Sequence, residues 1–217
     1  YENVRTDGEV DQAVEDAVRR GANVIFTTTP KLLLSSVRQA ALHPDVKILN
    51  CSLNTSYPSV RTYYPRLYGA KFIKGAIAGT LTRDGCIGYV ADYPTYGSIA
   101  SINAFAQGAR MVNANARIYL DWAHLRDGGA VGRLQAQGIV YIDYLDRLAA
   151  STGTQMGNRH NLALIQTHWG RLYQSLVRRV MEGSWKQEDQ GSSAVNYWWG
   201  MEQGVVSVLC SRRLPTG

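Results

Sequence analysis

The sequence predicts an α/β fold built on open, largely parallel sheets. Three observations carry this prediction: short apolar strands alternate with helices along most of the 217 residues, the strands stop abruptly at polar or aromatic residues, and 45% hydrophobic residues suffice for a packed core. Such alternation favours parallel strands joined by right-handed crossovers. In open α/β sheets, ligands bind at the carboxyl ends of the strands, so the residues there are candidate binding residues.

The first part of the chain predicts four elements in the order αβαβ. Apolar residues recur at helical spacing from Val10 to Val18, and Gly21 supplies a stop. Pro30 lies in the first turn of the second helix, where its missing N–H costs nothing. The four elements are the helix Glu9 to Arg20, the strand Asn23 to Thr27, the helix from Thr29 to His43, and the strand Val46 to Cys51.

A second α/β run follows an extended segment at Val60 to Tyr64. The small residues Gly75 and Gly79 would let its first helix approach a neighbouring helix closely. Residues 147–160 are rich in Gly, Thr and Asn and are predicted to be a loop. The remaining elements are a helix from Pro65 through Leu81, the strand Cys86 to Ala91, the helix Ser98 to Asn113, the strand Arg117 to Trp122, the helix Val131 to Gln137, the strand Ile139 to Tyr144, the strand Leu162 to Ile165, the helix Trp169 to Met181, and the strand Val205 to Leu209.

The net charge of +6 does not predict nucleic-acid binding, because the arginine pairs are scattered along the chain. Charges near helix ends offset helix dipoles and keep the surface solvated. No apolar run approaches the roughly 18 residues that cross a bilayer. The chain shows neither a signal peptide nor a lipobox-like start, so we expect any targeting segment to have been removed or never to have existed.

Nothing in the sequence resembles a catalytic, metal or cofactor site. Cys51, Cys86 and Cys210 lack metal-ligand spacing and are predicted to be buried small hydrophobes. Their odd number is compatible with a reducing compartment without requiring one. There is no G-x-S-x-G elbow and no Gly-rich phosphate loop. We therefore expect that the protein is not an enzyme and that it binds neither a cofactor nor a metal.

Four ordered segments carry a resemblance to a known family: His43 to Ser52, Ile87 to Pro94, Ile102 to Ala109, and Val195 to Met201. They resemble the basic-membrane-protein family of ABC-transporter substrate-binding proteins, which includes purine-nucleoside receptors. The resemblance covers essentially the whole chain. One departure is a short stretch between Tyr141 and Asn161, where relatives usually fit another helix–strand pair.

The resemblance implies a type I periplasmic-binding-protein fold, with two doubly wound α/β lobes joined by hinge strands and the ligand between them. Lobe one is expected to comprise residues 1–60 and 161–195, and lobe two residues 61–160 and 196–217. The first strand and helix of lobe one have no counterpart in the sequence, so we expect the native protein to extend upstream or a segment to be missing.

The resemblance also implies a nucleoside or purine base as the ligand. A nucleoside needs aromatic faces for stacking, and carboxylates or amides that accept its hydroxyl protons. Several candidates have structural alternatives: Asp92 could cap a helix, Trp122 could lie in the core, and Trp169 could seal its lobe. Either Asp143 or Asp146 is expected to accept a sugar hydroxyl, and we favour Asp146. The predicted ligand-binding residues are Thr28, Ser52, Asn54, Asp92, Tyr93, Tyr96, Trp122, Asp146 and Trp169.

The partners implied by the resemblance are a small-molecule ligand and the permease and ATPase subunits of an ABC transporter. The implied location is extracytoplasmic, either as a membrane-anchored lipoprotein or in the periplasm. The alternative is a cytoplasmic ligand-sensing module with the same fold, which the unpaired cysteines slightly favour.

Overall fold

The computed structural model describes residues 1–54, 57–93, 96–124, 129–151, 159–185 and 195–214. The chain divides into two units. Unit 1 comprises Tyr1–Pro65 and Trp169–Trp199, and unit 2 comprises Arg66–His168 and Gly200–Gly217. In chain order the elements are α1 (Asp7–Arg19), β1 (Val24–Thr27), α2 (Leu33–Leu42), β2 (Lys47–Cys51), β3 (Arg61–Pro65), α3 (Tyr68–Leu81), β4 (Cys86–Ala91), α4 (Tyr96–Val112), β5 (Arg117–Trp122), α5 (Ala130–Ala136), β6 (Tyr141–Tyr144), β7 (Arg147–Ser151), β8 (Arg159–Thr167), α6 (Trp169–Met181), β9 (Asn196–Trp199) and β10 (Val206–Cys210).

Unit 1 is built on a four-stranded sheet in the order β1-β2-β3-β9. All three strand pairs are parallel, so the four carboxyl ends lie at one edge. Thr6 begins α1 with a capping box, in which its hydroxyl accepts from the Glu9 N–H while the Glu9 carboxylate accepts from the Thr6 N–H. Val10 and Val14 of α1 then pack with Ile48 of β2 in the core of this unit.

Unit 2 is built on a six-stranded sheet in the order β10-β8-β7-β6-β4-β5. Strand β4 pairs in parallel with both β5 and β6, and the other pairs are antiparallel. Ile87 and Tyr89 of β4 pack with α3 and α4, whereas Val90 packs with α5. Because successive residues of a strand point to opposite faces, helices cover both faces of β4.

Helices α3 and α4 cross with almost no space between their backbones. A Cβ built on Gly75 would lie 2.0 Å from the carbonyl oxygen of Phe105, and one on Gly108 would lie 2.0 Å from that of Phe72. The close approach predicted from the small residues of this helix is therefore present.

The predicted loop at residues 147–160 is wrong at both ends, because β8 begins at Arg159 and Arg147–Ser151 forms β7. This strand pairs antiparallel with β6 and with β8. It provides backbone hydrogen bonds to both neighbours where relatives were expected to fit a helix–strand pair.

The unit boundaries also differ from the expected ones. Strand β3 pairs with β2, so the chain leaves unit 1 after Pro65. Strand β8 pairs with β7 and β10, so residues 161–168 belong to unit 2. Strand β9 pairs with β3, which places residues 196–199 in unit 1. In each case the backbone pairing of one strand decides the assignment.

Candidate functional site

Asn50 of β2 organises a buried polar group at the carboxyl edge of the unit 1 sheet. Its Nδ2 donates to the hydroxyl of Thr27 at 2.8 Å and to the carbonyl oxygen of Thr29 at 2.9 Å. The Thr27 hydroxyl also lies 2.9 Å from that of Ser36. Asn50 Oδ1 and Ser52 Oγ are buried and have no hydrogen-bond partner among the described residues. Since buried polar atoms are nearly always bonded, two unpartnered oxygens that lie two residues apart at one strand end indicate room for a ligand or water.

An aromatic cluster adjoins this polar group. It contains Phe26 of β1, Tyr63 of β3, and Trp169 and Tyr173 of α6. The Tyr63 hydroxyl donates to the carbonyl oxygen of Thr27 at 3.1 Å, which links the cluster to the partner of Asn50. Burial raises the pKa of Tyr63, so its hydroxyl stays protonated. The rings of Phe26 and Tyr173 lie 4.8 Å apart, and Trp169 stacks on Tyr173 at 6.0 Å. Trp169 remains 39% exposed, so part of its indole is open to a partner.

The other unit 1 candidates lie in more open positions. Thr28 is exposed, and with Thr27 and Thr29 it lines a pocket of about 220 Å³ beside β1. Thr29 caps the turn after β1, where its hydroxyl accepts from the Lys31 N–H at 3.5 Å. Asn54 is exposed in the loop after β2. Ligand contact by Thr28 and Asn54 stays a prediction.

In unit 2, His124 contacts Asp92 and Tyr93, two predicted ligand-binding residues that follow β4. Its Nε2 lies 2.7 Å from Oδ1 of Asp92. Its ring stacks on Tyr93, with centroids 4.9 Å apart and an interplanar angle of 13°. Asp92 follows β4 and His124 follows β5, and these neighbouring strands are parallel. His124 was not among the residues predicted from the sequence, although its position just after a parallel strand was a usable signal.

The remaining unit 2 candidates differ in their surroundings. Trp122 ends β5 half-buried and packs on the apolar cluster that includes Ile87 and Phe105, which is the core alternative raised above. Its neighbour Asp121 accepts from Arg133 at 2.7 and 3.1 Å. Tyr96 begins α4, and its side chain lies outside the described part of the structure. Asp146 is exposed in the turn between β6 and β7.

Asp143 is engaged by two lysines and fully buried. Lys71 Nζ donates to its Oδ2 at 2.7 Å, and Lys74 Nζ lies 2.5 Å from Oδ1 as an ion pair without hydrogen-bond geometry. Burial lowers the pKa of Lys74 to about 8, because Asp143 compensates it only in part. Burial acts on Lys71 in the same direction, but Asp143 outweighs it and raises that pKa. Asp143 is therefore not available to a ligand, which leaves Asp146 as the candidate of the two.

Neither a metal site nor a membrane-spanning helix is present among the described residues. No group of three or more His, Cys, Asp or Glu side chains in these residues could hold a metal ion. Within the same ranges, every helix is too short or too polar to cross a bilayer.

Comparison with known sequences identifies similar binding proteins. Residues 1–153 match the family model described as ABC transporter substrate-binding protein, PnrA-like. A purine-binding protein of Brucella abortus is 25% identical over 235 residues, covering 99% of this chain and 65% of the relative. A Haloferax volcanii protein named for ABC-transporter glucose binding is 25% identical over 226 residues, covering 94% of this chain and 56% of the relative. The chain thus spans less than two thirds of either relative.

Solved structures show the same fold at low sequence identity. The structure of a transcriptional activator of the comK gene from Bacillus halodurans has a TM-score of 0.74 and 17% identity, covering 99% of this chain and 81% of its own. An ABC-transporter solute-binding protein from Conexibacter woesei has a TM-score of 0.68 and 13% identity, covering 97% of this chain and 77% of its own. These likenesses agree with the type I periplasmic-binding fold expected from the sequence. Since the family model spans well over half of the residues, the chain belongs to the Bmp family of PnrA-like ABC-transporter substrate-binding proteins, a family of solute binders rather than enzymes.

Proposed function

We propose that this chain is the solute-binding part of an ABC transporter and that its ligand is a purine base or nucleoside. The family assignment supports the transport role. The name of the Brucella abortus relative supports a purine ligand. On this proposal the chain performs no chemistry, and its partners are the ligand and the permease and ATPase subunits of the transporter.

One observation carries the ligand proposal: the unit 1 sheet edge combines unmet buried acceptors with a partly open indole. Asn50 Oδ1 and Ser52 Oγ are without partners in the described residues. Asn50 connects through Thr27 and Tyr63 to the aromatic cluster that ends at Trp169. A purine offers a flat face for stacking and N–H groups that would satisfy such acceptors. Stacking of a base on an aromatic side chain is worth about 1–3 kcal/mol in nucleic-acid complexes.

The predicted unit 2 residues suit the sugar of a nucleoside. Asp92 offers a carboxylate that accepts hydrogen bonds from hydroxyl groups, and the contact with His124 orients this carboxylate. On this proposal the ligand is held by residues of both units after a hinge motion. Closure would be driven by the contacts that the ligand makes only in the closed state. A location outside the cytoplasm, anchored or periplasmic, belongs to the same proposal.

Isothermal titration of the purified chain tests the proposal. The panel contains adenine, adenosine, guanosine, uridine and glucose, since one relative is named for glucose binding. We expect heat of binding with a purine compound, and about tenfold or greater weakening by Trp169→Ala. Met181→Ala is the matched control, because Met181 ends the same helix and is 82% exposed. Binding of glucose alone, or of no purine compound, would reject the purine assignment.

A cytoplasmic ligand sensor is the second candidate. The observation that favours it is the TM-score of 0.74 to a protein titled as a transcriptional activator. Fractionation of cells that express the native gene separates the two candidates. Recovery with the membrane or periplasm supports transport, and recovery with the cytoplasm supports sensing.

A further inference from the structure

The turn that carries Asp146 has a strained backbone. Leu145 and Asp146 connect β6 to β7, whose flanking residues Tyr144 and Arg147 pair directly. Leu145 has a φ of 52°, in the left-handed region that glycine and asparagine adopt more readily than leucine. Its side chain is 53% exposed, so burial of the leucine does not account for this conformation. Strain of this kind persists only when the surrounding structure enforces it.

Two hydrogen bonds hold both central residues of this turn through their carbonyl oxygens. Lys71 Nζ donates to the carbonyl oxygen of Leu145 at 2.6 Å. The N–H of Ile165 in β8 donates to that of Asp146 at 2.8 Å. Lys71 is itself held, because it donates to the buried Asp143 carboxylate at 2.7 Å. The turn is therefore tied to α3 on one side and to β8 on the other.

Lys74 provides an internal comparison. It lies one helical turn after Lys71 on α3, is fully buried, and contacts the other oxygen of Asp143. Among the described residues its close contact is with Asp143, and it forms no hydrogen bond with the turn, although the charge of the Asp146 carboxylate acts on both lysines. Two neighbouring lysines thus share one carboxylate, and Lys71 is the one that reaches the Leu145 carbonyl.

We propose that Lys71 is a positioning residue for Asp146: it holds the Leu145–Asp146 turn in its strained form and thereby directs the Asp146 carboxylate toward the ligand. This inference rests on the proposed function, in which Asp146 contacts the ligand. Strands β4 and β6 are parallel neighbours, so the turn after β6 lies at the same edge as Asp92 and Tyr93 after β4. Lys71 is 5% exposed and acts through the turn rather than on the ligand.

Titration of adenosine and adenine into a set of variants tests the proposal. Lys71→Met should weaken binding about tenfold or more, the order expected for one charge-assisted hydrogen bond to a ligand. Lys71→Arg, which keeps a donor, should restore most of the affinity. Lys74→Met should bind within about threefold of the unmodified chain. Asp146→Asn should weaken binding as Lys71→Met does. The double variant should bind little more weakly than either single variant, because both changes remove the same contact between Asp146 and the ligand.

A second measurement reports on the stability of the turn in the absence of any ligand. Hydrogen exchange of the amides at residues 145–147 should accelerate in Lys71→Met and stay unchanged in Lys74→Met. Leu145→Asn should restore slow exchange and affinity in the Lys71→Met background, because asparagine adopts the left-handed region at lower cost.

The outcomes separate the two proposals. Equal loss of affinity in the two lysine variants, or additive effects of Lys71→Met and Asp146→Asn, would overturn the positioning role while leaving purine binding intact. Failure of the unmodified chain to bind any purine would reject the proposed function and the ligand role of Asp146 with it. In that case, unchanged hydrogen exchange at residues 145–147 in Lys71→Met would also show that Lys71 does not hold the turn.

Discussion

Raising the pH from about 7 to about 9.5 should stabilise unit 2, because Lys74 carries a buried charge that Asp143 only partly compensates. Burial lowers the pKa of Lys74 to about 8 from the ordinary 10.5. At about 1.4 kcal/mol per pKa unit, the protonated lysine costs the folded state about 3 kcal/mol at neutral pH. Between these two pKa values the unfolded chain binds more protons than the folded one, so the free energy of unfolding rises with pH.

The size of the effect follows from the two protonation states at about pH 9.5. The folded lysine is then almost fully deprotonated, while the unfolded lysine is still about nine-tenths protonated, so about 2 kcal/mol of the cost is recovered. Lys71 and Tyr89 do not interfere in this window. Their pKa values are raised, in the case of Tyr89 to about 12, so the stability that these two shifts contribute is lost only above the ordinary values near 10. Burial also raises the pKa of the Cys51 thiol in unit 1, which opposes the rise near pH 9, so the effect of Lys74 is the difference from a variant that keeps Cys51.

Urea denaturation followed by circular dichroism at several pH values measures the effect, with Lys74→Met as the control. Methionine has a similar length and removes the titrating charge, while Lys71 still pairs with Asp143. This variant should be more stable than the unmodified chain at pH 7 and should lose the rise with pH. An unmodified chain whose stability is flat between pH 7 and 9.5, or a variant with the same slope, would refute the reasoning.

Three further predictions concern single substitutions. Gly75→Ala should lower the free energy of unfolding by about 3 kcal/mol or more in urea denaturation, since its Cβ would lie 2.0 Å from the Phe105 carbonyl oxygen; the control Gly132→Ala, with no atom within 4 Å of the new Cβ, should be neutral or slightly stabilising. Asp143→Asn should cost about 3–5 kcal/mol in the same assay, because it leaves two buried ammonium groups without a carboxylate. Ser52→Ala should leave the ligand-free chain as stable or more stable but weaken purine binding in calorimetry, and the opposite pattern would contradict the role given to its hydroxyl.

Hydrophobic periodicity predicted most of the elements, and it failed where pairing depends on distant residues. Strand β7 has the sequence Arg-Leu-Ala-Ala-Ser, which ends in three small residues and contains no β-branched residue. It forms because β6 and β8 supply backbone partners on both sides. The preceding turn, Leu145-Asp146, also lacks the Asn-Gly or Gly signal that marks a two-residue hairpin. The first strand of this hairpin was predicted, but neither the turn nor β7 had a local signal to detect.

The lysine cluster was missed for a related reason. Lys71 and Lys74 interrupt an otherwise apolar helix, and charged residues in helices are usually solvated. Only the fold places Asp143 of β6 between them, across a long separation in sequence. By contrast, the close crossing of α3 and α4 was predictable, because small residues at helical spacing are a local pattern. Contacts that depend on one side chain matching another across the sheet have no such pattern.

Each unit has an energetically unfavourable feature at the carboxyl edge of its sheet, and the two features differ in kind. Unit 1 buries oxygens of Asn50 and Ser52 that have no hydrogen-bond partner among the described residues, and unit 2 holds Leu145 in a strained conformation against Lys71, one of two lysines that share Asp143. An unmet buried polar atom costs about 1–3 kcal/mol and is recovered when a partner arrives, so it favours a bound state over an empty one. Backbone strain is not recovered by a ligand, and instead fixes a geometry in advance. On the proposed function, unit 1 would therefore contribute mainly to the strength of binding, whereas the turn of unit 2 would contribute mainly to which ligand fits.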